Sequence, residues 1–184
     1  MIQLKVNNAA YRTSITIGAS VIKQGLWYFI NVIFFKNPLN INSGSKIILL
    51  RLFGATIGKG VVIKPSVNIK YPWKLKIGNH SWIGEEVWID NLAAVTIGDN
   101  VCISQGALLL CGNHNYKKQT FDLILGEIIL EDGVWIGARS IVCPGVKCAS
   151  HAVLAVLSVA SSNLEPYTIY KGNPAIAVNT RDIS

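Results

Sequence analysis

Aliphatic residues recur every six positions through the middle of this chain. The dipeptides Ile57-Gly58, Ile77-Gly78 and Ile97-Gly98 stand twenty residues apart. The fourteen positions in this register are Ile57, Ile63, Ile69, Ile77, Ile83, Ile89, Ile97, Ile103, Leu109, Leu130, Ile136, Val142, Cys148 and Leu154. The residue four places after each of them is usually small or β-branched. A period of six fits neither an amphipathic helix nor an alternating strand.

This period predicts an all-β solenoid in which each six-residue side is a short strand followed by a turn. Three sides close one triangular coil, and the aliphatic residues point to its axis, where stacked coils form apolar ladders. A coil that takes twenty residues instead of eighteen needs a bulge at one corner, which we expect at Tyr71-Pro72 and around residues 92–94. The glycine after many of the aliphatic residues is expected at a corner with an unusual backbone angle. The alternative, a β-sandwich with irregular strands, would have a hydrophobic period of two.

The chain divides into an N-terminal segment, the solenoid and a C-terminal cap, at residues 1–55, 56–160 and 161–184. Within the N-terminal segment, the stretches 19–35 and 45–53 are expected to be at least partly helical, with a loop between them.

Composition favours one domain with a large core, because 51% of the 184 residues are hydrophobic and only 15% are charged. The mean hydropathy of +0.39 suggests that other subunits cover part of the surface. The apolar segment Leu26–Phe35 is too short to span a bilayer and contains Asn31, so we expect a packed or interfacial helix. Met1–Arg12 lacks the apolar core of a signal peptide.

The cysteines and the charge add two expectations. Cys102, Cys111, Cys143 and Cys148 show no C-x-x-C spacing, so we expect reduced thiols in a cytoplasmic protein. The net charge of +7 comes from scattered Lys and Arg without the interleaved aromatic residues of a nucleic-acid binder. It suits an anionic small molecule or an anionic lipid surface, and a solvated basic face is equally compatible with it.

The register is interrupted by a polar excursion over residues 112–128. A solenoid stacks without such loops, so an insertion rich in hydrogen-bonding groups is a candidate functional site. At its centre stands His114, in the string Gly-Asn-His-Asn-Tyr. A neutral imidazole can take a proton from a hydroxyl or an amine that attacks a carbonyl, although a histidine that caps the loop is the alternative. His80 and His151 fall at outward corners and have no comparable surroundings.

Local strings resemble the colanic-acid-type acetyltransferases called WcaF, within the hexapeptide-repeat, left-handed β-helix acyltransferases. They are RLFGATIG at 51–58, IKPS at 63–66, IKYPW at 69–73, VWI at 87–89 and VTIGDNVCISQG at 95–106. Maltose, galactoside and nodulation-factor acetyltransferases are related to the same family.

The resemblance implies a homotrimer of left-handed prisms with acetyl-CoA in the groove between neighbouring subunits. It implies direct transfer without an acyl-enzyme, with His114 as general base and backbone amides polarising the thioester carbonyl. Asn113 and Tyr116 in the same loop would contact the acceptor. Asp90 and Asn91 stand where relatives place a residue that contacts the acceptor sugar, although a coil-corner turn is an equal alternative.

On the donor side, the resemblance places Trp135 at the thioester end and lets Gly137 and Ala138 offer backbone groups to the pantetheine. Ala155 and Val156 continue this lining on the next coil.

Two basic residues of relatives are replaced here by Ser162 and Ile176. Lys171, or Arg181 from the tail, is the candidate to hold the phosphates instead.

The implied activity is acetyl-CoA-dependent O-acetylation of a saccharide for a polysaccharide, capsule or O-antigen. The acceptor could be lipid-linked, at the cytoplasmic face of the membrane. N-acylation of an amino sugar, free or nucleotide-linked, is the alternative, and a non-catalytic scaffold is the third. A zinc hydratase would need three close histidines, which this sequence does not offer, so we expect no metal.

Overall fold

The computed structural model describes residues 5–11, 13 and 15–184. Its helical elements are a 3-10 turn at Asn8–Ala10, α1 at Val21–Ile30 with a π-helical turn at Asn31–Phe35, α2 at Ser43–Leu52, and a 3-10 turn at Pro72–Lys74. The side chains of Ser20 and Asn42 cap α1 and α2 by accepting hydrogen bonds from the backbone N–H groups of Lys23 and Ser45. Helices therefore form in both stretches where the sequence predicted them.

Short strands joined by turns follow the helices. In order they are β1 Thr56–Ile57, β2 Val62–Ile63, β3 Asn68–Ile69, β4 Leu75–Ile77, β5 Trp82–Ile83, β6 Trp88–Asp90, β7 Val95–Ile97, β8 Cys102–Ile103, β9 Leu108–Leu110, β10 Gly112–His114, β11 Leu123–Leu125, β12 Ile128–Leu130, β13 Trp135–Ile136, β14 Ile141–Val142, β15 Lys147–Cys148, β16 Val153–Leu154, β17 Val159–Ala160, β18 Thr168–Gly172 and β19 Ala175–Thr180.

Three parallel sheets form the faces of a prism. Face A is β1-β4-β7-β12-β15, face B is β2-β5-β8-β13-β16 followed by β18 and β19, and face C is β3-β6-β9-β14-β17. Each coil contributes one strand to each face, which confirms the predicted solenoid of left-handed hexapeptide coils. Turns at Pro72–Lys74 and at Leu92 take up the two extra residues of the longer coils, where the bulges were expected.

All fourteen predicted inward residues are buried, none more than 7% exposed. Side chains at corresponding positions stand in register on successive coils, for example Ile63 beside Ile83 and Ile83 beside Ile103. Each fully buried aliphatic side chain contributes about 1.5–3 kcal/mol, so the ladders are the main stabilising feature of the fold.

The expectation for the glycines after the aliphatic residues was wrong. Gly58, Gly78 and Gly98 do not have positive φ angles. A Cβ on Gly78 would instead stand 2.5 Å from the carbonyl carbon of Gly98, so the close stacking of coils requires glycine there. The left-handed backbone at this corner belongs to His80 and Asn100 two residues later, with φ of 55° and 56°.

The N-terminal helices cap the open edge of the first coil. An unpaired edge would leave backbone groups without partners, and side chains of the cap bond to them on all three faces. The bonds are Arg51 Nη2 to Ile57 O on face A, Lys46 Nζ to Lys64 O on face B and Trp27 Nε1 to Ile69 O on face C, each 2.8 Å long. Lys46 is fully buried, and this burial lowers its pKa.

Candidate active site

The interruption of the repeat forms a two-stranded antiparallel hairpin that leaves the prism between faces C and A. β10 pairs with β11, with His114 opposite Leu123. At the base of the hairpin Gly126 N donates to Cys111 O at 3.0 Å, and near its tip an ion pair joins Lys118 Nζ to Asp122 Oδ2 at 2.9 Å. The excursion is thus an ordered hairpin, and His114 lies on one of its strands.

Phe121 fixes the imidazole of His114. The Nδ1 atom of His114 lies 2.9 Å from the carbonyl oxygen of Phe121, and the two rings stack with centroids 4.4 Å apart and 6° between their planes. Phe121 has a φ of 51°, an uncommon angle for a bulky residue. Tyr11 approaches the imidazole from the N-terminal segment, with ring centroids 5.9 Å apart. The sequence did not reveal either partner.

The hydrogen bond to Phe121 determines the tautomer of the neutral imidazole. A carbonyl oxygen can only accept, so Nδ1 carries the proton and Nε2 keeps its lone pair. His114 is half-buried. This is the arrangement a general base requires, because the nitrogen that accepts the proton is free and the ring is held from its other side.

The other two loop candidates lie differently. Asn113 alternates with His114 along β10, so its side chain points to the opposite face of the hairpin. Its Oδ1 accepts from His114 N at 2.8 Å. Tyr116 follows the strand, and its side chain is 74% exposed. Both side chains are exposed, and only the Oδ1 atom of Asn113 is engaged.

Asp90 and Asn91 serve contacts between coils. Asn91 is fully buried: its Nδ2 donates to Tyr71 O at 2.6 Å, and its Oδ1 accepts from Tyr71 N at 2.9 Å. Asp90 pairs with Lys70 at 2.8 Å. The geometry of Asn91 therefore matches the alternative of a coil-corner turn. Asp90 lies beside Lys70, whose side chain is 38% exposed.

Face B carries a long groove. A cavity of about 590 Å³ is lined by Ser104, Gln105, Trp135, Gly137, Ala138, Val153, Ala155, Val156, Ile169 and Arg181. A second cavity of about 370 Å³ on the same face shares Ser104, Gln105 and Trp135 with it. The structure brings together five of the six predicted donor-binding residues, and Lys171 does not line the cavity.

Trp135 divides the two cavities and is held in place. Its Nε1 donates to Ser104 Oγ on the coil below at 2.9 Å, while 46% of its surface stays exposed. The indole therefore presents an apolar surface to the groove.

Coil stacking engages some of the backbone groups expected to meet the pantetheine. Gly137 N donates to Leu154 O at 2.7 Å, and Ala138 O accepts from Leu157 N at 3.0 Å. Among the residues described, the N–H groups of Ala138 and Val156 have no acceptor. These two amides, on adjacent coils, are the ones available to a ligand.

Lys171 stands directly across from Ile176 in the antiparallel pair of β18 and β19. Directly opposed residues share one face of a sheet, with Cβ atoms about 5 Å apart. The lysine thus lies beside the position where the resemblance places a basic residue. Arg181 is more constrained, because its Nη1 donates to Gly133 O at 2.7 Å and to His151 O at 3.2 Å.

The buried thiols are poor nucleophiles. Burial raises the pKa of Cys111, next to the hairpin, to about 11 and that of Cys148 to about 12. A thiol with such a pKa is protonated near neutral pH.

Within residues 5–11, 13 and 15–184, no three His, Cys, Asp or Glu side chains come together as a metal site. In the same part of the chain, no helix has the length and apolar character needed to cross a membrane.

His114 and Trp135 lie on different parts of the prism. The hairpin leaves between faces C and A, whereas Trp135 lies on face B. One chain therefore carries the two halves of the candidate site on separate surfaces.

The fold has close counterparts among solved structures. A hexapeptide-repeat acetyltransferase of Vibrio cholerae, solved in complex with acetyl coenzyme A, superposes with a TM-score of 0.78 at 23% identity, over 90% of this chain and 92% of that one. Galactoside O-acetyltransferase of Escherichia coli K12 is 26% identical over 140 residues, which are 73% of this chain and 69% of that protein. No protein-family model matches the chain.

Fold, hairpin and groove define a hexapeptide-repeat acyltransferase. The chain is 35% identical over 164 residues to the putative colanic acid biosynthesis acetyltransferase WcaF of Escherichia coli K12, covering 89% of this chain and 90% of that protein. It belongs to the family of these colanic-acid-type acetyltransferases, which confirms the resemblance drawn from its sequence strings.

Proposed function

We propose that this enzyme transfers the acetyl group of acetyl-CoA to a hydroxyl group of a saccharide. The observation that carries the proposal is His114, whose Nδ1 is bound to Phe121 O at 2.9 Å and whose Nε2 is left as a base. The relatives are named as acetyltransferases of colanic acid biosynthesis and of galactosides, which supports a sugar as the acceptor.

In the proposed reaction, Nε2 of His114 takes the proton of the acceptor hydroxyl as the oxygen attacks the thioester carbonyl. The carbon–sulfur bond then breaks, and the imidazolium returns its proton to the leaving thiolate. The Phe121 carbonyl stabilises the imidazolium formed in between, because it accepts a hydrogen bond from Nδ1. No thiol nucleophile is needed, in line with the high pKa of the buried Cys111.

The groove on face B is the proposed donor site. The free N–H groups of Ala138 and Val156 suit the amide carbonyls of an extended pantetheine, and the exposed face of Trp135 covers the apolar end. The ammonium of Lys171 would bind the phosphates, in place of the basic residues that Ser162 and Ile176 replace. Lys171 is exposed and lies at the strand pair that extends face B.

We further propose that the working enzyme is a homotrimer. His114 and the groove lie on separate surfaces of one chain, so a neighbouring copy must bring them together. Mixing inactive His114→Ala subunits with inactive Val156→Glu subunits should then restore part of the activity. Mixed assemblies that stay inactive would contradict the shared site.

The proposal is tested by thiol release from acetyl-CoA in the presence of single saccharides, oligosaccharides and amino sugars. Acceptor-dependent release with a base-labile ester product supports O-acetylation. A base-stable amide on an amino sugar would identify the N-acyltransferase alternative instead. Calorimetry that shows no binding of acetyl-CoA would favour a scaffold.

A further inference from the structure

Helix α1 and its π-helical turn leave most of their aliphatic side chains exposed. The buried residues on the inward side are Trp27, Asn31 and Phe35. The outward residues of α1 and its π-helical turn are Val21, Ile22, Leu26, Tyr28, Phe29, Val32 and Ile33, exposed by 41–83%. Apolar residues therefore lie on both sides of the helix, whereas the solvent side of a surface helix is normally polar.

Capping explains the inward polar residues but not the outward apolar ones. Trp27 and Asn31 bond to Ile69 at the open edge of the first coil, so these polar groups are needed there. Nothing in the cap requires Ile22 or Phe29 on the other side. The seven outward residues, here called the basal surface, form a larger apolar patch than single exposed side chains would.

Positive charge is concentrated at the end of the prism that carries this apolar surface. The first 84 residues of the sequence contain eleven Lys and Arg and no Asp or Glu, whereas the remaining 100 contain six Lys and Arg and ten Asp and Glu. Lys36 is exposed just after the helical turn, and Arg51, Lys59 and Lys64 are exposed on the cap and first coil. The end of the prism that carries the apolar patch is therefore the cationic end.

We propose that the basal surface docks on a lipid bilayer that carries anionic headgroups. Exposed apolar side chains along a helix, together with cationic residues at the same end of the protein, are typical of a helix that lies in the plane of the membrane interface. Each Lys or Arg near an anionic surface adds about 1 kcal/mol of attraction, so the flanking cations strengthen what the apolar residues begin.

Charge also distinguishes the bilayer from a second copy of the chain. Two copies packed base against base would bring together two cationic ends, formed by residues 1–84 without any Asp or Glu, and like charges in an interface oppose binding. The inference depends on the basal surface alone. It would therefore stand even if the proposed acetyl transfer failed.

Flotation of the full-length protein with vesicles tests this inference. The protein should bind vesicles of phosphatidylcholine with phosphatidylglycerol, lose binding as salt is raised, and ignore vesicles of phosphatidylcholine alone. Phe29→Gln should weaken binding about tenfold or more because it removes apolar surface, and Lys36→Gln should weaken it about fivefold.

Val178→Gln is the matched control, because Val178 is 53% exposed on β19 and lies far from the cap in the fold. Its binding should equal that of the wild type, and circular dichroism should show all variants folded. Equal binding of neutral and anionic vesicles, or no binding, would overturn the inference. So would a Phe29→Gln variant that binds vesicles normally but forms smaller oligomers, because a second copy would then cover the basal surface.

Discussion

Phe121 holds His114 in two ways, through a carbonyl 2.9 Å from Nδ1 and through a ring stacked at 4.4 Å. The backbone contact determines which nitrogen is protonated, and the side-chain contact determines where the ring points. Both come from one residue seven positions further along the chain, so the hairpin carries its own support for the base.

Removing the Phe121 ring should separate these two contributions. Phe121→Ala keeps the carbonyl and loses the stack, so we expect kcat to fall about tenfold to a hundredfold as the imidazole becomes less well placed. The KM for acetyl-CoA should not change, since the Phe121 ring contacts His114 and does not line the groove. Steady-state kinetics checks this, and Phe121→Tyr, which keeps the ring, should restore the rate. An equal loss in Phe121→Tyr would contradict a stacking role.

Lys171 gives a test of the donor site. If its ammonium binds the phosphates, Lys171→Gln should raise the KM for acetyl-CoA about tenfold and leave the KM for acetyl-pantetheine unchanged. Adding Ile176→Arg should recover the loss, because the two positions are directly opposite each other in the strand pair. A double variant as weak as Lys171→Gln would place the phosphates elsewhere.

The contacts between coils are tested at Gly78. Gly78→Ala would bring a Cβ to 2.5 Å from the backbone of Gly98, so it should lower the free energy of unfolding by about 1–3 kcal/mol or more. Gly25→Ala is the control, since nothing lies within 4 Å of the added atom and alanine favours helix. Thermal unfolding should show a large loss for the first and a slight gain for the second. Similar melting temperatures would refute close stacking as the reason for glycine.

The lowered pKa of Asp99 makes the stability of the fold depend on pH. The backbone N–H of Asn79 donates to its carboxylate at 2.6 Å, and this bond, followed by bonds from the Asn79 side chain, lowers the pKa of Asp99. A lowered folded pKa means that the stabilisation is complete above the unfolded value of about 3.9 and is lost as the pH falls through the folded value. Asp99→Asn should flatten the acid limb of stability, measured by urea unfolding between neutral and acidic pH. An unchanged acid limb would contradict this role.

The fold could be predicted because every coil repeats the same pattern of aliphatic residues. Each inward residue from Ile57 to Leu154 repeats the same environment, so the period alone identified the buried ladder. The predicted donor-binding residues Trp135 to Val156 lie within this register, so the stacking of coils brings them to one groove.

Contacts outside the repeat could not be predicted in the same way. The stack of Phe121 on His114 depends on one hairpin with an uncommon backbone angle, and no period leads to it. The hydrogen bonds from Trp27 and Lys46 to the first coil join residues 42 and 18 positions apart. Neither bond is part of the repeat, so the period does not indicate it. Gly78 was predicted for the wrong reason, because the pattern shows where glycine stands but not what lies beside it.

The role of His114 is tested most directly by comparing acetyl-CoA turnover in the wild type and in His114→Ala with the best acceptor. The account predicts that kcat falls by about 10²–10⁴-fold while calorimetry shows unchanged binding of acetyl-CoA and circular dichroism shows an intact fold. A His114→Ala enzyme that turns over at the wild-type rate would contradict His114 as the general base.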